Sequence, residues 1–341
     1  MAPLSALGDG LGRAARAPAV LAGTFAVTLL VAVPPSLALR GMLATQLGPS
    51  LAADAVARGV DYDWWQEFSA QATGLGTTFV PSIIGFGAVL QNISNLADNL
   101  SLATTIAGVI AAWIVVWTFL SGGIIDRFAR NRATRARGFF GACGAHFPAL
   151  IRLGLIALVL YWVAFGWIHR WLFDSVFMRA TRNLTVERDA FLVRLLFYML
   201  FALILFAVNV TFDYSRIRIV VEDRRSAIGA LIAGARFVSR HVSTVATVYL
   251  LNATLFVLLI AAYAIVTRGV TPAGGMAWLA LVAGEIYILA RHYLKLTFYA
   301  SETALFQSRL AHADYAAAPP VVWPESPLAE SIGNAPPAGP C

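Results

Sequence analysis

Long apolar runs constrain the fold of this chain more than any other feature of its sequence. An α-helix rises about 1.5 Å per residue, so about 20 consecutive apolar residues cross the hydrocarbon layer of a bilayer. Six segments have roughly this length and few charges; their approximate bounds are 17–39, 102–122, 153–173, 190–212, 243–265 and 277–299. The sequence therefore predicts an all-α fold, a polytopic transmembrane helical bundle of about six spans.

The composition agrees with a membrane-embedded chain. Of its 341 residues, 59% are hydrophobic and 13% are charged, whereas an average soluble domain has about 25% charged residues. The basic residues are almost all arginine, with Lys295 as the exception, which favours a bacterial source over nucleic-acid binding. The two cysteines, Cys143 and Cys341, do not predict a disulfide framework.

The distribution of arginine predicts the orientation. Loops 123–152 and 213–242 carry six arginines each, and Arg13 and Arg16 precede the first span. The loops on the opposite side, 40–101 and 174–189, carry as many acidic residues as arginines or more. By the positive-inside rule we expect a multi-pass protein of the bacterial cytoplasmic (inner) membrane, with an uncleaved first helix and both termini in the cytoplasm.

Shorter helices are predicted between the spans. Residues 77–90, in the outer loop 40–101, form an apolar run of about 14 residues, which is too short to span. Residues 77–97 are therefore predicted to form an interfacial or re-entrant helix. Asp61 or Asp63 is placed to cap a short aromatic helix in the same loop. On the cytoplasmic side, helical spacing of apolar residues predicts in-plane amphipathic helices near 139–151 and 228–237.

The C-terminal region is predicted to differ from the rest of the chain. Residues 316–341 are rich in proline, which removes backbone donors and interrupts helices. We expect a transmembrane domain over residues 1–315, followed by a disordered Pro-rich cytoplasmic tail.

A buried polar site is predicted around the last span. Glu285 and His292 are seven residues apart and share one helical face, and Glu285 lies too deep to reach the membrane surface. Asn209 and Asn252, on two other spans, are candidate partners. The residues leave two interpretations of Glu285 open: a structural pairing, or a proton- or cation-responsive site in a transporter.

A second group of candidates lies in the basic loops. Asp213 is spaced to pair with Arg216, and Glu222 with Arg218 or Arg225. Two interpretations stay open: the cluster only anchors the loop on the positive side of the membrane, or it seats anionic lipid headgroups. The candidate headgroup contacts are Arg216, Arg218, Arg224, Arg225, Arg127 and Arg130.

Several of these motifs carry a family resemblance. They are Gly122-Gly123-x-x-x-Arg127, the Phe139–His146 helix, and Asp213-Tyr214-x-Arg216-x-Arg218 through Arg224-Arg225. The arrangement resembles bacterial inner-membrane families that include the glycerophosphodiester-phosphodiesterase membrane domain and the YciC-like proteins. The resemblance implies a helical bundle with cytoplasmic amphipathic helices. It implies no phosphodiesterase activity, because the catalytic domain is absent from this sequence.

The functional expectation follows from these residues. The sequence contains no His-Glu-x-x-His, Walker A, Gly-x-Ser-x-Gly or Gly-x-Gly-x-x-Gly motif, and we predict no catalytic residues, cofactor or metal. The leading hypothesis is a structural, lipid-interacting or accessory membrane component. Its partners would be membrane lipids, with a protein partner or a second copy of the chain as a further candidate. A small-solute or ion-coupled transporter that uses Glu285 is the alternative, and a membrane-embedded lipid-modifying enzyme is the third.

Overall fold

The computed structural model describes residues 1–58, 61–79, 86–100, 104–267 and 276–310. Over these ranges the chain is helical and forms no β-strand. The helices are α1 (Pro3–Ala15), α2 (Pro18–Leu47), α3 (Ala53–Arg58), α4 (Tyr62–Gln71), α5 (Phe86–Ala97), α6 (Thr104–Arg130), α7 (Ala136–Val163), α8 (Met178–Thr181), α9 (Glu187–Val221), α10 (Ala227–Arg240), α11 (Val242–Val266) and α12 (Ala277–Leu310). A 3₁₀ turn spans Gly74–Thr78, and two π-helical segments, Ala164–His169 and Trp171–Phe177, connect α7 to α8.

Five helical stretches of the described chain are long and apolar enough to cross a membrane: Pro18–Leu47, Ile106–Arg130, Ala136–Thr181, Glu187–Val221 and Val242–Val266. This is the architecture of a multi-pass membrane protein, and it confirms the predicted helical bundle. The sixth predicted span lies within α12, which packs beside α11. Helix α12 is not among the five stretches. It is more polar than these five because it contains Glu285, Arg291 and Lys295.

The cytoplasmic helix predicted near 139–151 is not a separate in-plane element. It is the first half of α7, which runs through Pro148 directly into the next span. The physical reason is close packing against α6. A side chain on Gly123 would come within 3 Å of atoms of Phe139 and Cys143, so this glycine lets α7 lie antiparallel along α6.

The segment near 228–237 is a separate amphipathic helix, as predicted. Helix α10 begins where the side chain of Ser226 accepts a hydrogen bond from the backbone of Gly229. It packs on the end of α9 at Gly234, where a Cβ would lie 2.3 Å from the Ser215 hydroxyl. The small residues therefore fix α10 against α9.

Helix α1 was not predicted, and it closes the same end of the bundle. It packs on α12 at Gly10, where a Cβ would fall 2.7 to 2.9 Å from the backbone and Cβ of Ser301. Arg13 is buried and donates hydrogen bonds to the carbonyl of Phe128 and to Gln307 at 2.8 Å each. The buried residues are concentrated at this end, where the arginine-rich turns lie.

Two further predictions concern the outer loop and the tail. Asp61 caps α4 by accepting from the backbone N–H of Trp64 at 3.0 Å, as predicted. Helix α5 occupies residues 86–97 of the predicted interfacial segment, whereas residues 80–85 and the predicted disordered tail 316–341 lie outside the described residues.

Candidate functional site

Three long helices bring polar side chains together near the basic end of the bundle. Helix α9 contributes Asp213 and Arg216, α11 contributes Tyr249, and α12 contributes Lys295, Tyr299 and Glu302. We call these six residues the polar cluster. Trp117 of α6 packs against it.

Asp213 is the centre of the polar cluster. One carboxylate oxygen accepts from Arg216 Nη1 at 2.9 Å. The other accepts from the Tyr249 hydroxyl and from Asn209 Nδ2, the latter at 3.3 Å. The three-residue spacing on α9 places Asp213 and Arg216 on one face. Through its bond to Tyr249, Asp213 links α9 to α11.

Glu302 lies deeper than Asp213. Its exposed fraction is 0%, and neither carboxylate oxygen makes a hydrogen bond of standard geometry with a described residue; only the Tyr249 hydroxyl is close enough for a weak one. Asp213, Arg216 and the phenol of Tyr249 are near enough to interact with it electrostatically. A buried polar group without a hydrogen bond costs about 1–3 kcal/mol, which makes Glu302 the most unusual residue of the cluster.

Lys295 lies on the open side of the polar cluster. Its ammonium nitrogen is 3.3 Å from the centre of the Trp117 ring, a cation–π arrangement. Trp117 also donates to the Tyr299 hydroxyl at 3.0 Å. Lys295 forms no ion pair with a carboxylate in the described chain.

The polar cluster is open on one side and closed on the other. Asn209 and Lys295 are exposed, and the side chain of Arg216 retains 32% exposure. Asn252 and Ser301 are buried beside the cluster, where the Asn252 amide donates to the Ser301 hydroxyl at 3.0 Å. The cluster therefore reaches the surface of the bundle through Asn209, Arg216 and Lys295 and is closed on its inner side.

The residues predicted to form one buried polar site are divided between different places. Asn209 belongs to the polar cluster and Asn252 contacts its neighbour Ser301. Glu285 lies sixteen residues before Ser301 on α12, about 24 Å along the helix axis. The structure therefore does not bring Glu285 together with Asn209 or Asn252.

Glu285 and His292 have separate surroundings. Glu285 is half-buried, and its Oε2 atom has no hydrogen-bond partner among the described residues. His292 is buried, and its Nε2 lies 3.1 Å from the hydroxyl of Thr28. His292 thereby connects α12 to the first span, α2, which has few buried residues of its own.

Two of the predicted headgroup arginines lie inside the bundle. Arg127 is buried and donates to the backbone carbonyl of Arg16 at 3.0 Å, and Arg216 is held by Asp213. Arg130 is half exposed and pairs with Asp126 at 2.8 Å.

The other three arginines line two cavities, one on each side of the turn between α9 and α10. The first, of about 420 Å³, we call the α10 cavity; it is lined by Arg218, Arg224, Gly229, Ile232, Ala233, Arg236, Phe237, Arg240 and His241. The second, of about 400 Å³, we call the α7 cavity; it is lined by Ala145, His146, Pro148, Ala149, Arg152, Asp223, Arg224 and Arg225.

The α10 cavity holds an excess of positive charge. Arg218 and Arg224 both pair with Glu222, and Arg218 also donates to the carbonyl of Ala233 at 2.7 Å. Arg236 and Arg240 are exposed and pair with no described carboxylate. An anion entering this cavity would therefore meet two guanidinium groups that no acidic side chain neutralises.

Comparison with known proteins adds no family to this geometry: no family model, curated protein or solved structure matches the chain. The described residues also contain no group of three His, Cys, Asp or Glu side chains able to hold a metal ion.

Sequence reasoning missed Glu302, Tyr299 and Ser301. All three lie at or beyond the end of the sixth predicted span, where the apolar run stops. A usable signal was present: Leu296, Ala300, Ala304 and Leu305 continue an apolar stripe with helical spacing, and all four are buried. The stripe indicates that α12 continues to Leu310, and in that helix Glu302 lies in the core.

Proposed function

We propose that this protein is a multi-pass membrane component that binds the phosphate-bearing headgroups of anionic phospholipids at its basic end. The observation that carries this proposal is the α10 cavity, with unpaired Arg236 and Arg240 on its wall. Guanidinium groups form bidentate hydrogen bonds with phosphate oxygens, and exposed basic clusters at the ends of membrane spans attract anionic lipid.

The apolar surface beside the α10 cavity supports a lipid ligand over a soluble anion. Ile228 and Ile232 lie one turn apart on α10 and are 63% and 56% exposed. An amphipathic helix with apolar side chains exposed beside arginines is suited to the boundary between headgroups and acyl chains. The same helix would then contact the acyl chains through its isoleucines and the phosphate through its arginines.

We further propose that this basic end faces the cytoplasm of a bacterial inner membrane. The turns 131–135 and 222–226, the N-terminal arginines and the end of α12 all lie at the end of the bundle where α1 and α10 pack. The excess of arginine there supports a cytoplasmic location. Both termini would then lie on the cytoplasmic side, with α12 as the sixth span.

The proposal is tested by counting retained lipids. The full chain is purified in a mild detergent and incubated with phosphatidylglycerol or with phosphatidylcholine, and bound lipid is counted by native mass spectrometry. We expect phosphatidylglycerol to be retained in preference, and the double variant Arg236→Gln/Arg240→Gln to lose most of that preference.

The matched control removes the same charge elsewhere. Arg132 and Arg137 are also exposed arginines of the basic end, but they line neither cavity. The double variant Arg132→Gln/Arg137→Gln should keep the preference for phosphatidylglycerol. Equal losses in the two double variants would show a general charge effect and would contradict a site at the α10 cavity.

A transport function is the second candidate, and the polar cluster favours it. Asn209, Arg216 and Lys295 open this cluster to the surface from two of the long helices, and Asp213 lies beside them. Polar and ionisable residues within membrane bundles commonly mark the path of a solute or proton. A ligand-dependent rise in thermal stability in a screen of ions and small solutes would support transport, and no shift with any of them would count against it.

A further inference from the structure

The polar cluster contains two carboxyl groups but a single arginine. Arg216 is bonded to Asp213 at 2.9 Å, whereas Glu302 is not within ion-pair distance of any described basic side chain. An ionised carboxylate without a partner in the interior costs several kcal/mol. The charge pattern therefore fits an ionised Asp213 and a Glu302 that keeps its proton.

Tyr249 lies between these two acids. Its hydroxyl donates to Asp213, and it is close enough to interact with Glu302 as well. A phenol can donate one hydrogen bond and accept another. From this geometry we propose that Asp213, Tyr249 and Glu302 form a proton-exchange site, in which Tyr249 relays a proton between the buried Glu302 and Asp213.

The relay conserves atoms and charge. The Glu302 carboxylic acid gives its proton to the Tyr249 oxygen as the Tyr249 proton passes to the Asp213 carboxylate. Tyr249 ends as a neutral phenol, Glu302 becomes the carboxylate and Asp213 the acid; no electron is transferred. Asp213, with 11% side-chain exposure beside the partly exposed Arg216, then exchanges the proton with the surface of the bundle.

Other titratable or charged groups interact with the two carboxyl groups from four helices. They are Tyr161 on α7, Tyr214 and Arg216 on α9, Tyr249 on α11, and Lys295 and Tyr299 on α12. The hydroxyl of Tyr214 is buried and, like the Glu302 oxygens, makes no hydrogen bond of standard geometry with a described residue. Because the relay moves the proton within the cluster, it leaves the net charge of the cluster constant, and Arg216 stays beside Asp213 throughout.

Infrared spectroscopy of the full chain in phospholipid nanodiscs tests this proposal. Carboxylic acids absorb in a C=O stretching region that carboxylates do not share. We expect the wild type at neutral pH to show such a band, and the band to move when the protein carries ¹³C-labelled glutamate. This labelled wild type assigns the band to glutamate without any substitution.

The variants then identify the residue. Glu302→Gln should lose the band, while Glu285→Gln, at the other glutamate of the described chain with a buried unpartnered oxygen, should keep it. A labelled wild type without the band, or a folded Glu302→Gln protein that retains it, would overturn the proposal. A band that disappears when Na⁺ is added at constant pH would assign the site to a metal cation and would overturn it too.

The relay itself has a separate readout. Transfer into D₂O shifts the carboxylic acid band as the proton exchanges. Tyr249→Phe removes the phenol oxygen and should slow this exchange severalfold while the band persists. If the exchange rate is unchanged in Tyr249→Phe, Tyr249 does not relay the proton and the proposed path is wrong.

Discussion

Asp213 accepts hydrogen bonds from more partners than any other residue of the polar cluster does. Its substitution tests which of these bonds stabilise the cluster. Asp213→Asn leaves Arg216 without its acid and weakens the bond to Tyr249. We expect the free energy of unfolding in detergent to fall by about 1–3 kcal/mol. The exposed pair Arg188–Asp189, 3.5 Å apart, provides the control. Asp189→Asn should change the free energy of unfolding by less than about 1 kcal/mol.

A double-mutant cycle decides whether the loss comes from this pair. If the ion pair is the cause, Asp213→Asn and Arg216→Gln together should cost less than the sum of the two single substitutions, with a coupling of about 1 kcal/mol or more. Additive losses would mean that Asp213 stabilises the fold through Tyr249 and Asn209 instead.

Local spacing explains which site residues the sequence can predict. The pairs Asp213–Arg216 and Arg218–Glu222 are three and four residues apart on one helix, and both are present. Glu302 approaches Tyr249 only because α11 and α12 pack together, and no spacing within the sequence encodes that contact. The predicted partnership of Glu285 with Asn209 and Asn252 failed for the same reason, since it assumed a helix register that only the packed bundle defines.

At the scale of elements, two glycines of α1 give contrasting predictions. A Cβ at Gly10 would overlap the backbone of Ser301 on α12, whereas a Cβ at Gly8 meets nothing within 4 Å. Gly10→Ala should lower the free energy of unfolding by about 1–3 kcal/mol. Gly8→Ala should leave it unchanged or raise it by up to about 1 kcal/mol, because alanine favours the helix.

Unfolding of both variants by SDS in mixed micelles measures this difference. A Gly10→Ala protein as stable as Gly8→Ala would show that α1 does not dock on α12 at this position.

The contact between α1 and α12 also explains why α1 was not predicted from the sequence. Its polar residues and short length carry no span signal, and its helix is stabilised by packing against α12 and by the bonds of Arg13.

Elements whose signal lies within their own residues were predicted, and those that depend on contacts were not. Apolar length identifies the five stretches, apolar spacing identifies α10, and Asp61 marks the start of α4. The continuous α7 depends instead on Gly123 of the neighbouring helix. The extension of α12 to Leu310 has an apolar stripe as its signal, but the continuous apolar length that identifies a span stops before it.

At the scale of the whole molecule, the ends of the bundle differ in packing as well as in charge. The buried core gathers at the basic end, while the opposite halves of the spans expose large apolar side chains such as Leu158, Leu195 and Leu203, at 65%, 43% and 62%. In a bilayer these side chains contact lipid or other spans. The proposed headgroup site and the polar cluster therefore both belong to the more closely packed end.

This polarity gives a topology that cysteine labelling in intact bacterial cells can test. Cys143 is fully buried, and Cys341→Ser removes the other thiol from the background. Single cysteines then replace Arg132, Glu187 or Arg309, which are exposed residues at the ends of α6, α9 and α12. A membrane-impermeant maleimide should label Glu187→Cys in intact cells, and should label Arg132→Cys and Arg309→Cys only after permeabilisation.

The position at Arg309 decides the role of α12. If α12 crosses the membrane beside α11, its end lies on the same side as the turn that carries Arg132, and Lys295 and Glu302 lie between that side and the bilayer centre. Labelling of Arg309→Cys in intact cells, together with Glu187→Cys, would place the end of α12 outside and remove the sixth span. Labelling of Arg132→Cys in intact cells would reverse the whole orientation, and the arginines of the α10 cavity would then face the outer leaflet.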